Sequence, residues 1–465
     1  MGVVYDPGSF KDNEGHVFQN DGRIFRTLND KVLDRMRRLE AVGLLAGLAA
    51  DGLIVSSSLL DAKSAGLDPA AVGEVVMEHE PIPVVTYPYE WSTGMLRDAA
   101  LLTLDIMTRC LEHNFILKDA TPFNCMFHKG RPIFIDILSI DDYEDGTPWI
   151  GYTQFCREFL FPLFLSGYKK MDFRPWMRGK ISGITATEIR KLLSIRDFFR
   201  PGILTNVIVQ AALERRFSNE DVLVKNALSE KKFHKPVLES MIARLRKTVI
   251  ATKGADVDTG WLNYTQEKSY QEQDDKNKRS FITRMLQAET PKRIIDLGAN
   301  TGEYTRLAAE HGELVVGLDI DPACVDSLYR SVKPEDDASI VPMVINLLDP
   351  TPGQGWLLEE RRSLFDRIDV DGFLALALVH HICIGGNVPI EAFVRLLGRF
   401  GRCGVVEWVE KSDSMVQKLL RNREDVFPDY EWETFSKALG RQFEIVQVEE
   451  IMNGTRRLCW VRALG

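Results

Sequence analysis

The stretch Arg293-Ile-Ile-Asp-Leu-Gly-Ala-Asn-Thr-Gly302 constrains this chain more than any other. An apolar burst ends at Gly298, and a second glycine at 302 opens a helical run over 304–311. Glycines allow the tight turn and close backbone approach of a strand-to-helix cradle. Leu314-Val-Val-Gly-Leu-Asp319 reads as a second buried strand, and Asp321-Pro322 as a helix start, because Asp can accept from free N–H groups and proline suits the first helical position. Further strands are predicted over 340–346, 370–379 and 404–409, with helices between them. Such alternation predicts a mostly parallel sheet covered on both faces. Near the end, Phe443-Glu-Ile-Val-Gln-Val and Arg457-Leu-Cys-Trp-Val-Arg flank Asn453-Gly454, a pair that favours a hairpin turn.

The spacing of the glycine loop bears on its ligand. Asn300 stands where a dinucleotide fingerprint would need a second glycine to admit a pyrophosphate, so a ligand without phosphate fits better. Asp296, just before the turn, could reach an ammonium group directly or through water. Asp319 ends the next strand, where a carboxylate can accept both hydrogen bonds of a ribose diol, with Ile320 beside it. Asp321 competes for that role but suits helix capping better. Asn346-Leu347 ends the third strand and offers an amide to adenine.

Loop, downstream carboxylate, third-strand amide and terminal hairpin together resemble the class I S-adenosylmethionine-dependent methyltransferases, over residues 261–465. The segments NLLDPTPGQGW, LALALVHHI, EWVEKSDSMVQKLL and EDVFPDY look more narrowly like a bacterial group of nodulation-related or uncharacterised methyltransferases. The resemblance implies S-adenosylmethionine as donor, held by Asp296, Gly298, Asn300, Gly302, Asp319, Ile320, Asn346 and Leu347. It also implies a lid from the lead-in segment that carries Trp261, Tyr264, Tyr270 and Lys278. His380 and His381 are expected at the end of the fourth strand, facing the transferred methyl, where an imidazole can take a proton from the acceptor. Adjacent strand residues face opposite ways, so one would act and the other pack. Glu407 is a second acid/base candidate.

Upstream, hairpin-like segments surround Gly15 and Gly22, amphipathic helices are predicted over 32–48 and 95–114, and a short strand pair surrounds Phe127 and Ile133. Asp119-Ala-Thr-Pro-Phe-Asn124, followed by Phe134-Ile-Asp136, resembles the Asp-x4-Asn and strand-borne Asp of kinase-like phosphotransferases. In those enzymes the first Asp orients a hydroxyl, and the Asn and second Asp hold magnesium. No glycine-rich phosphate loop is present, Ile-Leu follows Asp136, and Arg26 stands where a strand lysine is usual. A degenerate kinase-like module is therefore expected, with Asp119, Asn124 and Asp136 as a possible nucleotide site and Mg-ATP a ligand only if that module is active.

Composition narrows the partners. The 465 residues carry a formal net charge of -9, which argues against bulk nucleic acid or an anionic membrane as partner. No apolar run approaches the ~20 residues of a membrane span, no secretory leader is visible, and a cytoplasmic location is expected. The seven scattered cysteines signal neither a disulfide framework nor a metal site. Basic residues between Arg215 and Lys247 read as a solvated helical face.

The expected chain is thus an α/β protein. An α+β kinase-like domain spans 1–250, a linker and lead-in helix 251–280, and a Rossmann-like methyltransferase sheet with its terminal hairpin 281–465. It would methylate a small-molecule or carrier-linked acceptor. The alternatives are a bifunctional kinase-methyltransferase and a donor-binding regulator without turnover; neither acceptor nor oligomeric state can be read from the residues.

Overall fold

The computed structural model describes residues 3–212, 234–254, 272–335, 339–421 and 426–464. The chain divides into two units, one of Met1–Asp256 with Gly353–Arg362, the other of Val257–Pro352 with Ser363–Gly465.

In the first unit β1 (Val4–Tyr5), β2 (Val17–Asn20), β3 (Arg23–Thr27), β4 (Ser57–Asp61) and β5 (Val75–His79) form an antiparallel sheet in the order β1-β2-β3-β5-β4. Asn20 pairs with Arg23, so Asp21 and Gly22, with φ of 50° and 77°, form the two-residue turn that right-twisted strands favour. Gly15 permits a close approach, since a Cβ there would lie 1.9 Å from the Thr27 carbonyl oxygen. The helix predicted over 32–48 is two helices, Asp30–Ala41 and Leu44–Ala50, because Gly43 adopts φ 71° between them. Thr93–Glu112 forms one long helix capped by Ser92. After it come β6 (Phe115–Leu117), β7 (Cys125–His128), β8 (Arg131–Phe134) and β9 (Ile140–Asp142), paired as β6 with β9 and β7 with β8.

The second unit is built on β10 (Arg293–Leu297), β11 (Leu314–Asp319), β12 (Ile340–Val344), β13 (Gly372–Ala375), β14 (Cys403–Val409), β15 (Phe443–Ile451) and β16 (Arg456–Ala463). Their order is β12-β11-β10-β13-β14-β16-β15, parallel except for β16, which runs antiparallel to both β14 and β15. The chain reverses between β10 and β13, which opens a crevice at the carboxyl ends of these strands. The helix Glu272–Glu289 carries Phe281, Ile282, Met285 and Leu286 on one stripe, and they pack with Ile294, Val315, Leu374, Val405 and Leu458.

Two expectations are corrected. β13 ends at Ala375, and Ala377 turns the chain out of the sheet at φ 49°, so His380 and His381 sit on a helical turn rather than a strand end. The Asn453-Gly454 turn is also longer than two residues: Ile451 pairs with Arg456, and Met452, Asn453 and Gly454 all have positive φ. Of the basic stretch, Lys235, Arg244, Arg246 and Lys247 lie on the helix Lys235–Ala251, where Arg246 pairs with Asp105 at 2.9 Å, and the more N-terminal members lie outside the described residues.

Candidate functional site

A cavity of about 400 Å³ opens at the carboxyl ends of β10, β11 and β12. That is within the range of small-molecule sites. Its turn is built by three positive-φ residues, Gly298 at 82°, Asn300 at 50° and Gly302 at 88°. Backbone N–H groups of Gly298 and Ala299 both donate to the Leu318 carbonyl at 2.8 Å, tying the loop to β11. Gly302 starts the helix Glu303–Ala309, and a Cβ there would lie 2.3 Å from Leu328 Cδ1. It does not line the cavity; its role is to let the helix close on its neighbour.

Asp319 is gripped by the backbone: its Oδ2 accepts from Asn300 N–H at 2.7 Å and its Oδ1 from Asp321 N–H at 2.8 Å. A carboxylate has about four acceptor sites, so capacity remains for a ligand hydroxyl. Burial raises its pKa. Asp296 is 2% exposed, accepts from Thr305 Oγ1 at 2.6 Å, and is pushed up to about 6 by burial, with Thr305 opposing. Asp321 caps its helix through Ala323 N–H, as the Asp-Pro pair suggested. Asn346 Oδ1 accepts from Leu348 N–H at 3.0 Å, which holds the turn after β12 and leaves Nδ2 as the donor.

Four carboxylates, of Asp275, Asp296, Glu303 and Asp319, line this cavity with one cation, Lys278. Lys278 lies on the apolar stripe of its helix and is 3% exposed, so its charge must be met inside. Glu407 meets it at 2.6 Å. Burial opposes the ammonium and Glu407 more than offsets this, so the Lys278 pKa is raised. Glu407 also accepts from Arg456 Nη1 at 3.1 Å, and Arg456 Nε donates to Asp413 Oδ2 at 2.8 Å. This buried row of two cations and two anions is neutral in sum. The lining carboxylates are thus left to define the cavity's field, which suits a cationic ligand. Glu407 sits within β14, outside the lining, with one carboxylate oxygen on each cation.

His381 lines the cavity and His380 does not. Their rings are 4.1 Å apart. Burial, then Arg456, lowers the His381 pKa to about 4, so the ring is neutral at pH 7. His380 is fully buried, and among the described residues neither ring nitrogen has a hydrogen-bond partner. Ile320 and Leu347 also line the cavity. Trp261, Tyr264 and Tyr270 fall outside the described residues. Sequence reasoning missed Asp275 and Tyr304, whose hydroxyl donates to Asp275 Oδ1 at 3.0 Å and whose ring carries Lys278 Nζ at 4.7 Å. The signal was the i, i+3 spacing of Asp275 and Lys278 on the lead-in helix.

In the first unit, Asp136 Oδ1 accepts from Arg26 Nη1 at 2.5 Å; its Oδ2 accepts from Ser139 and, at 3.4 Å, from Asn124 Nδ2. Burial opposes the carboxylate form, but Arg26 and Ser139 hold the Asp136 pKa down. Burial and Asp136 raise that of Asp119. Both Asp136 oxygens face donors, Arg26 on one and Ser139 on the other, so a magnesium ion held by Asn124 and Asp136 would have to displace them.

The strand order with its reversed terminal pair and the glycine turn give the second unit the Rossmann-like fold expected of class I methyltransferases, with an acidic cavity at the strands' carboxyl ends. The chain as a whole belongs to the family of nodulation protein NoeA: it is 32% identical to NoeA of Rhizobium meliloti (strain 1021) over 456 residues, covering 97% of this chain and 94% of that protein. No family model matches. Among solved structures, the N-methyltransferase NodS from Bradyrhizobium japonicum WM9 aligns with 42% of this chain and 98% of its own, at 10% identity and a TM-score of 0.31. Magnesium protoporphyrin IX methyltransferase from Synechocystis PCC 6803, with bound S-adenosylhomocysteine, aligns with 44% of this chain and 95% of its own, at 16% identity and a TM-score of 0.32.

Proposed function

We propose that this enzyme methylates a small or carrier-linked acceptor at a protonated nucleophile, with His381 as the proton acceptor. One observation carries this reading: the His381 imidazole lines the same cavity as four carboxylates, beside the place where a cationic methyl donor would sit. When bound, S-adenosylmethionine supplies an electrophilic methyl on a sulfonium, and the electron pair of the breaking C–S bond leaves with sulfur. Asp319 would accept from the ribose hydroxyls and Asn346 Nδ2 would donate to an adenine ring nitrogen, with Ile320 and Leu347 against the base. Asp296 would face the donor's ammonium. His381 would take the acceptor's proton on its cavity-side ring nitrogen as the new bond to carbon forms. Lys278 and Glu407 are positioning residues, because each is committed to the buried charge row. The first unit would select or present the acceptor.

Calorimetric titration of the full chain with S-adenosylmethionine, followed by transfer of labelled methyl into a small-molecule extract of the source bacterium, tests the proposal. Donor binding, with transfer lost in His381→Ala, supports it. Donor binding without transfer into any fraction favours the regulator, and no donor binding overturns the reading.

A further inference from the structure

The segment Gly353–Arg362 interrupts the second unit's sequence and belongs to the first unit. Its neck is closed by a two-way backbone bridge: Gln354 N–H donates to Arg361 O at 2.9 Å and Arg361 N–H to Gln354 O at 3.0 Å. Side chains anchor the base. Glu360 Oε2 accepts from Lys11 Nζ at 2.8 Å and from Trp356 N–H at 3.1 Å. Arg362 pairs with Asp6 at 2.8 Å, Arg362 N–H donates to the Tyr87 hydroxyl at 2.9 Å, and the Arg361 guanidinium lies 4.4 Å over the Phe123 ring. Both neck glycines are sterically required. A Cβ on Gly353 would lie 2.3 Å from Leu358 O, and Gly355 has φ 78° with a Cβ position 2.6 Å from Glu360.

The tip is Trp356-Leu357-Leu358, exposed by 65%, 71% and 68%. Leu357 and Leu358 hold φ of 54° and 63°, a conformation that residues with a branched side chain rarely adopt. Phe10, 43% exposed, lies at the base beside Lys11. A well-braced loop thus presents three consecutive large apolar side chains to water, against the usual dispersal of such residues on a surface.

We infer that this loop inserts into the interfacial layer of a lipid bilayer. A convex tip offers a protein partner no flat face or groove to match, whereas a fluid acyl layer needs no complementary shape. Tryptophan favours the headgroup level, where its ring is apolar and its N–H finds a partner, and two leucines beyond it suit the acyl boundary. The three cations at the base, Lys11, Arg361 and Arg362, are balanced in number by three carboxylates, Glu360 and Asp6, which pair with them, and Glu359 in the same loop. Binding therefore rests on apolar burial and extends to zwitterionic lipid, which revises the expectation of no membrane partner without contradicting the argument from net charge. The loop lies on the bilayer and spans nothing.

Co-sedimentation of the full chain with phosphatidylcholine vesicles, at low salt and at roughly 1 M salt, where charge attraction is screened, tests this. The expected result is a bound fraction that persists in salt and falls at least tenfold in Leu357→Gly/Leu358→Gly, which keeps the left-handed backbone, and in Trp356→Ser. Unchanged donor binding and thermal unfolding in these variants would show that the fold is intact. No sedimentation at any lipid concentration, equal sedimentation of the variants, or binding confined to phosphatidylglycerol and abolished by salt would each overturn the inference. So would self-association that the variants lose while the native chain ignores lipid.

Discussion

Lys278 Nζ lies 2.6 Å from Glu407 Oε2, so the helix that leads into the seven-stranded sheet is pinned to β14 by an ion pair with almost no access to water. Cutting such a pair on one side leaves an uncompensated buried charge. Lys278→Met or Glu407→Gln should each cost about 3–5 kcal/mol of stability, and Lys278→Met/Glu407→Met should recover part of that loss. Urea unfolding of the three variants checks this, and a double variant no better than the singles would count against the pairing.

Asp319 serves the loop and the proposed ribose contact together. Asp319→Ala should weaken donor binding by about 1.5–3 kcal/mol, the range for hydrogen bonds to a charged group. Asp319→Asn keeps one acceptor oxygen and should lose less. Calorimetry on the two variants separates them, and equal affinity to the native chain in both would remove Asp319 from the donor site.

Asp296 and His381, both displaced by burial, give different pH signatures. Asp296 gains its proton as pH falls through about 6, so the cavity loses a negative charge and donor affinity should decline several-fold between pH 7 and 5. Asp296→Asn should abolish that step. His381 stays neutral until about pH 4, so the chemical step should show no acid limb over the same interval. Single-turnover rates at saturating donor, measured across that range, would expose an acid limb if one exists.

His381→Ala should lower turnover by about 10²–10⁴-fold, the usual worth of a positioned base, while donor affinity changes little. His380→Ala tests its neighbour independently, because that ring touches His381 and not the cavity. An effect on KM alone in His381→Ala would assign it to acceptor binding rather than proton transfer.

Much of the seven-stranded sheet was legible because its evidence is local. The apolar burst before Gly298, the Asp-Pro helix start and the two C-terminal strands are written in consecutive residues. What escaped depends on distant partners or on single backbone angles. Nothing near His380 announces that Ala377 turns left-handed and ends β13 early. Glu407 reads as a free acid until Lys278 and Arg456, 129 and 49 positions away, are seen to hold it. Gly43 gave a visible hint, since a glycine inside an amphipathic run is a natural break, yet periodicity on both sides argued for one helix. The excursion Gly353–Arg362 carries no periodic signal at all; its place is fixed by Lys11, Asp6, Tyr87 and Phe123.

That excursion bears on how the protein can be taken apart. The chain passes between its two units at residues 256, 352 and 362, so no single peptide-bond cut separates them. A fragment beginning at Val257 would carry ten residues whose neighbours had been left behind, with Glu360, Arg361 and Arg362 deprived of their counterparts. Gene fission after the first unit would yield halves that must find each other again. A protease nick near residue 256 would leave the excursion with its neighbours in the first unit, so the halves should stay associated.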